Sequence, residues 1–363
     1  MTRIQPYYPP SKEIKIAIVG EAPSAEDAKG GEPFLGNSGR LLSDMLHEAR
    51  IIRRDCYITH AFLDKPPYGD ISNWCVKKKE ADKQWKELGN EGKYPLKGIG
   101  SGKFIVPNRL GDLDRLHKEL VEANPNVILC LGATALWSLT GSGGITKNRG
   151  TVVEVDLGGP RKYKVIPTFD PSYILRKWDG RVIAIADFMK AKMESLSPKV
   201  HRPKRELWLS PDLEMMEDFW VHHLACQERF AWDIETIPRG GFITCIGFGT
   251  ASHAICIPFY DERKEGGNYW ADPKEEVHAW NMIKAWLGGG ASKITQNGMY
   301  DMQWVWKKHG FFPSGDLEDT QLMHHSMYPE MKKDLGTLGS LYTNEIAWKQ
   351  LNPARKTIGK KDD

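Results

Sequence analysis

Two carboxylates stand two residues apart at the end of an apolar run, and that arrangement calls for a chemical explanation. Asp233 and Glu235 follow Phe230-Ala231-Trp232 and flank Ile234; as positions i and i+2 of a strand they project from one face. Ionised side by side they repel, which costs stability unless a cation lies between them, and a hard divalent ion with oxygen ligands is the natural resolution. The same Asp-x-Glu spacing recurs at Asp212/Glu214 and Asp316/Glu318, at predicted helix starts where acids meet the positive end of the dipole, so those pairs read as structural. Later, ITQNGMYDMQWVW turns a strand into a helix whose first turn carries Asn297, Tyr300 and Asp301. A third carboxylate there would complete most of a site for Mg2+ or Mn2+, in which two cations some ~3.5 to 4 Å apart activate water and stabilise the leaving oxygen of a phosphodiester. Trp304 and Trp306 are expected to pack in the core.

A second candidate lies in the first half. VGEAPSAEDAKGGEPFLGNSGRLL places a Gly-rich turn between the first strand and the first helix, where ligands bind in open α/β sheets. Neither GxGxxG nor GxxxxGK[ST] is present, so a nucleotide-phosphate loop fails in detail. Glu21 beside Pro23, the acidic pair Glu26-Asp27 and Pro33-Phe34 stand there instead. A carboxylate and an aromatic in such a crevice suit a pocket that stacks a flipped base and directs water at its glycosidic carbon. The structural alternative makes Glu21 a turn acid and Phe34 a core residue.

Two bodies must position these groups. From Ile14 to Leu196, β-rich runs (IKIAIVG, DCYITHAF, NVILCLG, KYKVIPTF) alternate with helical patterns, the signature of a layered α/β domain. Residues 64–108 break this rhythm with a long Gly- and Lys-rich insertion. SLSPKVHRPKREL reads as a linker, with prolines, basic residues and little to bury. Ser210 then offers an N-cap with Pro211 at the first helical position. Strands RFAWDIE, FITCIGFG and HAICIPF follow, then a helix over 274–287, a strand KITQ, and helices from Met299 and Glu318. The expected domains are therefore 1–196, a linker 197–206, and 207–363.

Composition supports two globular domains rather than one, with 363 residues, 40% of them hydrophobic and 27% charged. Fifty basic against 47 acidic side chains leave a net charge of +3, which neither demands nor excludes a polyanionic partner. No apolar run has the length of a membrane span and the N-terminal residues lack a secretory pattern, so a cytoplasmic setting is expected. The six cysteines show no CxxC, which points to neither a zinc ribbon nor a disulfide framework. Within the insertion, lysines interleave with Trp85, Tyr94 and Phe104; such a run is either a solvated face or a DNA contact.

Two resemblances gather these features. WDIET, NGMYD and DTQLMHHSMYPEMKKDLGTLGSLY, over about residues 205 to 350, resemble the 3'-5' proofreading exonuclease domain of family A DNA polymerases, a ribonuclease-H-like fold. The resemblance implies that Asp233, Glu235 and Asp301 are metal ligands, that Asn297 and Tyr300 support the site and the strand being trimmed, and that Asp319-Thr320 is chiefly structural. The family's later Tyr-x-x-x-Asp helix is missing, since Tyr342 is followed four residues on by Ile346. The expectation is the front part of a longer phage-like polymerase, or one product of a split gene whose polymerase partner contributes that helix.

GEAPSAEDAKGGEPFLGNSGRLLSDML, CYITHAFLDKPP and VIPTFDPSYILR, spanning 14–195, are similar to the uracil-DNA glycosylase superfamily, nearest its family 4 type. That likeness implies an α/β/α sandwich, Glu21 as the water-activating acid, Phe34 as the base-stacking aromatic, and Ser172 to Arg176 as the loop that enters the duplex. His60 stands where the family has an Asn that reads uracil, and Asp170 where it has a catalytic His. A carboxylate there repels a departing uracil anion unless it is protonated. The family's iron-sulfur cluster lacks suitably spaced cysteines, so none is expected. Together the likenesses imply a DNA-replication protein, a metal-dependent exonuclease fused to a glycosylase-like DNA-binding domain. The alternatives are a base-excision repair glycosylase using the exonuclease fold as scaffold, and an inactive DNA-binding module.

Overall fold

The computed structural model describes residues 3–11, 13–100, 102–237 and 241–346. They form two compact α/β units, Met1–His201 with the described residues from Gly336 onward, and Arg202–Leu335.

In the first unit the fully apolar runs Ile16–Gly20 and Val127–Leu131 are buried along their whole length, as strands covered on both faces must be. They lie inside a five-stranded sheet ordered Tyr57–His60, Ile16–Gly20, Val127–Leu131, Tyr163–Thr168, Val153–Val155. The first four are parallel and the last is antiparallel. On one face the helices Asn37–Glu48 and Gly180–Glu194 bury Leu42, Met45, Leu46 and Phe188; on the other, Leu110–Ala123 buries Leu116 and Leu120. Carboxyl ends of the parallel strands gather at one edge, so Glu21, His60, Gly132 and Asp170 all lie at or just beyond strand ends.

The long insertion acquires structure of its own. Cys75–Lys77 pairs with Lys103–Ile105, and Lys78–Glu87 is helical. Tyr94 is buried, with Trp85 and Phe104 each 6.1 Å away in edge-on contact, so this aromatic trio packs on itself instead of facing bases.

The second unit holds a six-stranded sheet ordered Leu317–Asp319, Ser292–Thr295, Arg229–Ile237, Phe242–Gly249, His253–Pro258, Glu206–Leu209. Arg229–Ile237 is central, antiparallel to Phe242–Gly249 and parallel to Ser292–Thr295, the expected ribonuclease-H-like arrangement. Phe230, Trp232 and Ile234 are buried while Ala231, Asp233 and Glu235 are exposed, so period-2 alternation puts both carboxylates on the open face.

Boundaries differ from expectation in three places. Glu206–Leu209 is an edge strand parallel to His253–Pro258, where the sequence reads as the end of a linker. Ser210 has a left-handed backbone, φ 56°, and the cap falls to Asp212, whose side chain accepts the Met215 N–H at 2.8 Å. The helix Leu335–Tyr342 groups from Gly336 with the first unit rather than the second, because buried Arg149 donates to Ser340 Oγ at 3.1 Å and Lys190 donates to the carbonyls of Gly150, Ser340 and Thr343. Among the described residues no helix is long and apolar enough to cross a membrane.

Candidate functional site

In the first unit, the turn after Ile16–Gly20 carries Glu21. Its carboxylate accepts a hydrogen bond from the Thr134 hydroxyl on the neighbouring helix Gly132–Thr140. Burial pushes Glu21 above the usual carboxylate range, and negative charge at Asp170 and Asp70 adds to the rise against the Thr134 bond. Asp170 is occupied structurally: it caps the helix Pro171–Arg176 by accepting the Ser172 N–H at 2.7 Å. Ser172 enters this arrangement through its backbone, and Arg176 is exposed at the far end of that helix. Gly132, with φ 90°, brings its backbone so close that an added Cβ would lie 3.1 Å from the Asp170 Cβ.

The residues expected to grip a base instead grip each other. Phe34 is 5% exposed and His60 2%, with ring centroids 4.6 Å apart. Both crowd Gly20, where an added Cβ would lie 2.4 Å from His60 Nδ1 and 2.5 Å from Phe34 Cζ. Phe34, expected as the base-stacking aromatic, and His60, in the place of the family's uracil-reading Asn, are thus packed against one another. Phe34 adopts φ 59°, unusual for a bulky residue, and is fixed there by Arg53, which donates to the Phe34 carbonyl at 2.9 Å. On the other side of His60, Nε2 lies 3.6 Å from Asp27 Oδ2. Burial works against ionisation of Asp27, yet the His60 side chain and the Ser24 and Leu35 N–H groups hold it well below the usual carboxylate range. Thr134 and Arg53 have no local sequence signal; the Ser24-x-x-Asp27 capping box is one that the sequence does spell.

In the second unit, Asp301 lies in the first turn of the helix Met299–His309 and is 2% exposed. Burial first, and the Asp233 charge second, push it up to about 7, while the Ile234 N–H works the other way. Asp233 is itself raised, by lost hydration and then by Glu235. No lysine, arginine or histidine forms an ion pair with Asp233 or Asp301 among the described residues. Among the described residues the side chains, as they stand, gather no group of three His, Cys, Asp or Glu around one point. Side chains at i and i+2 of a strand stand about 6.6 Å apart, so Asp233 and Glu235 do not meet unaided.

The flanking residues hold the helix start in place. Tyr300 and Thr236 share a hydroxyl–hydroxyl bond of 2.6 Å, tying the helix to the strand one residue beyond Glu235. Asn297, at φ 63°, donates its backbone N–H to Asp319 at 3.1 Å, and Gly298 does the same at 2.8 Å. Asp319 also caps the helix Thr320–Met327, which fits its expected structural role. Trp306, expected in the core, is 53% exposed and stacks on Phe312.

Comparison with known proteins assigns the first unit. The profile of the uracil DNA glycosylase superfamily matches residues 6–195. A type-4 uracil-DNA glycosylase from Thermotoga maritima is 34% identical over 184 residues, covering 50% of this chain and 77% of that protein. Another from Archaeoglobus fulgidus is 30% identical over 186 residues, covering 50% and 76%. Among solved structures, the EXO domain of Aedes aegypti Nibbler matches with a TM-score of 0.32 at 13% identity, over 44% of this chain and 78% of that one.

Proposed function

The chain belongs, through residues 6–195, to the uracil-DNA glycosylase superfamily, and from that premise we propose that it acts on DNA in replication. In this reading the second unit is a metal-dependent 3'-5' exonuclease domain working with a family A, phage-like polymerase domain in cis or in trans. The superfamily unit holds DNA without excising uracil.

The observation that carries the nuclease reading is the pairing of buried Asp301 with Asp233, neither of them in an ion pair with a basic side chain among the described residues. Hard oxygen donors with surplus negative charge fit Mg2+ or Mn2+. Asp233 and Asp301 would hold the ion, with Glu235 alongside on the same strand face. When bound, such an ion polarises a phosphoryl oxygen and lowers the pKa of its water. The chain's own contribution is orientation: the Ile234 N–H fixes the Asp301 carboxylate, and the Thr236–Tyr300 bond sets the helix against the strand.

For the first unit, the packed Phe34–His60 pair and the helix-capping role of Asp170 argue against base excision. Incubation of the chain with a 3'-labelled single-stranded oligonucleotide and Mn2+ tests the proposal. Release of mononucleotides that Asp301→Asn abolishes supports it. No release even with a polymerase domain supplied counts against it.

A DNA-binding module without catalysis is the second reading, favoured by the lack of a third converging ligand among the described residues. Salt-sensitive DNA binding, with neither nucleotide release nor alkali-labile sites on uracil-containing DNA, selects it.

A further inference from the structure

Tyr300, Trp304 and Lys308 stand four residues apart on the helix Met299–His309, and so line one face at about 6 Å per step. The side chains keep this spacing. The Tyr300 and Trp304 ring centroids are 6.2 Å apart, and Lys308 Nζ lies 5.8 Å from the Trp304 ring. The Thr236 bond anchors the first rung beside the carboxylates, and the last rung is an exposed ammonium. Tyr300 is 40% exposed, and Trp304 is half-buried with one side against the core.

We infer that Tyr300, Trp304 and Lys308 form a path for single-stranded nucleic acid leading away from Asp233 and Asp301. Successive aromatic faces followed by a cation are what an unpaired strand binds, through base stacking and one phosphate contact. Bases stacked within a duplex strand are spaced at about 3.4 Å, roughly half the ring separation, so the ladder suits unstacked bases. The cation also offsets the acidic start of the path, where an anionic strand is otherwise repelled. This deepens the nuclease reading, and rests on it only for the direction in which the strand end points.

The test uses the full-length chain in EDTA with a single-stranded oligodeoxynucleotide carrying 5-iodouracil. Photo-crosslinks are mapped by mass spectrometry, and affinity is read by fluorescence anisotropy across a salt series. Crosslinks at Tyr300 and Trp304 are expected. Lys308→Gln should weaken binding and flatten the log–log salt slope by about 0.7, the value for one phosphate on a single strand. Trp304→Leu should lose about tenfold in affinity, while Trp304→Phe keeps a stacking face and binds within about twofold of wild type. Trp306→Leu removes an exposed aromatic from another helix face and should bind normally. Crosslinks absent from the helix, or Trp304→Leu and Lys308→Gln binding as wild type does, overturns the inference. Crosslinking read in EDTA and hydrolysis read with Mn2+ separate the two readings: a chain that hydrolyses DNA but does not crosslink at the helix loses the path and keeps the nuclease. One that crosslinks there but never hydrolyses keeps the path and loses the nuclease.

Discussion

Asp301 lies buried in the first turn of its helix, where the nearby charge of Asp233 makes it still harder to ionise. The coupling carries a pH dependence of defined sign. The Asp301 carboxyl has the ordinary value of 3.8 when unfolded and is pushed up to about 7 when folded, so between those values the folded chain holds the proton more tightly. Stability from this group is therefore complete below pH 3.8, falls as pH rises, and is gone above about 7. Asp301→Asn removes the dependence. By thermal unfolding, the variant should match wild type at pH 4 and exceed it at pH 8, by a few kcal/mol as an order of magnitude. Wild type melting at least as high as the variant at pH 8 contradicts the coupling.

A divalent cation relieves the same repulsion. Millimolar Mn2+ should raise the melting temperature of wild type at pH 8, and less at pH 6, where protons compete for Asp301. In Asp301→Asn and Asp233→Asn the rise should shrink or vanish. An equal rise in all three proteins places the ion elsewhere.

Uracil excision should be absent. Phe34 and His60 are buried against each other, and Asp170 is committed to a helix cap. A uracil-containing oligonucleotide incubated with the chain and treated with alkali should stay intact, and cleavage lost on Glu21→Gln would reverse this reading. The same crowding makes Gly20→Ala destabilising by about 1–3 kcal/mol, since both rings must move to admit a methyl group.

Arg149 and Asp187 form a buried ion pair beside Thr168, which donates to Asp187 at 2.7 Å. Removing one partner strands the other charge, so Asp187→Ala should cost about 3–5 kcal/mol in chemical denaturation. The double change Arg149→Met with Asp187→Leu should recover much of that loss. A double variant as unstable as the single one would mean that packing, not stranded charge, sets the cost.

Much of this architecture was legible in the amino-acid order. Ile16–Gly20 and Val127–Leu131 announce buried parallel strands because every position is apolar, and the alternation from Phe230 to Glu235 announces which face Asp233 occupies. Cap positions were less legible: Ser210 and Asp212 are both good N-caps, and only the backbone at Ser210 decides between them. The Phe34–His60 contact could not be read at all, since it depends on the parallel register that sets Gly20 opposite His60. For the same reason the order of residues does not show with which unit Tyr342 and its helix group. Its anchor is Arg149, and no periodicity links positions so distant.

That anchor orders events during synthesis. Arg149 and Ser340 are 191 residues apart, with the whole of the second unit between them. A ribosome therefore delivers the carboxylate-bearing body before the superfamily body can make this tie. Until then, Asp187 is the partner that holds the Arg149 guanidinium, and the bond to Ser340 stays unmade.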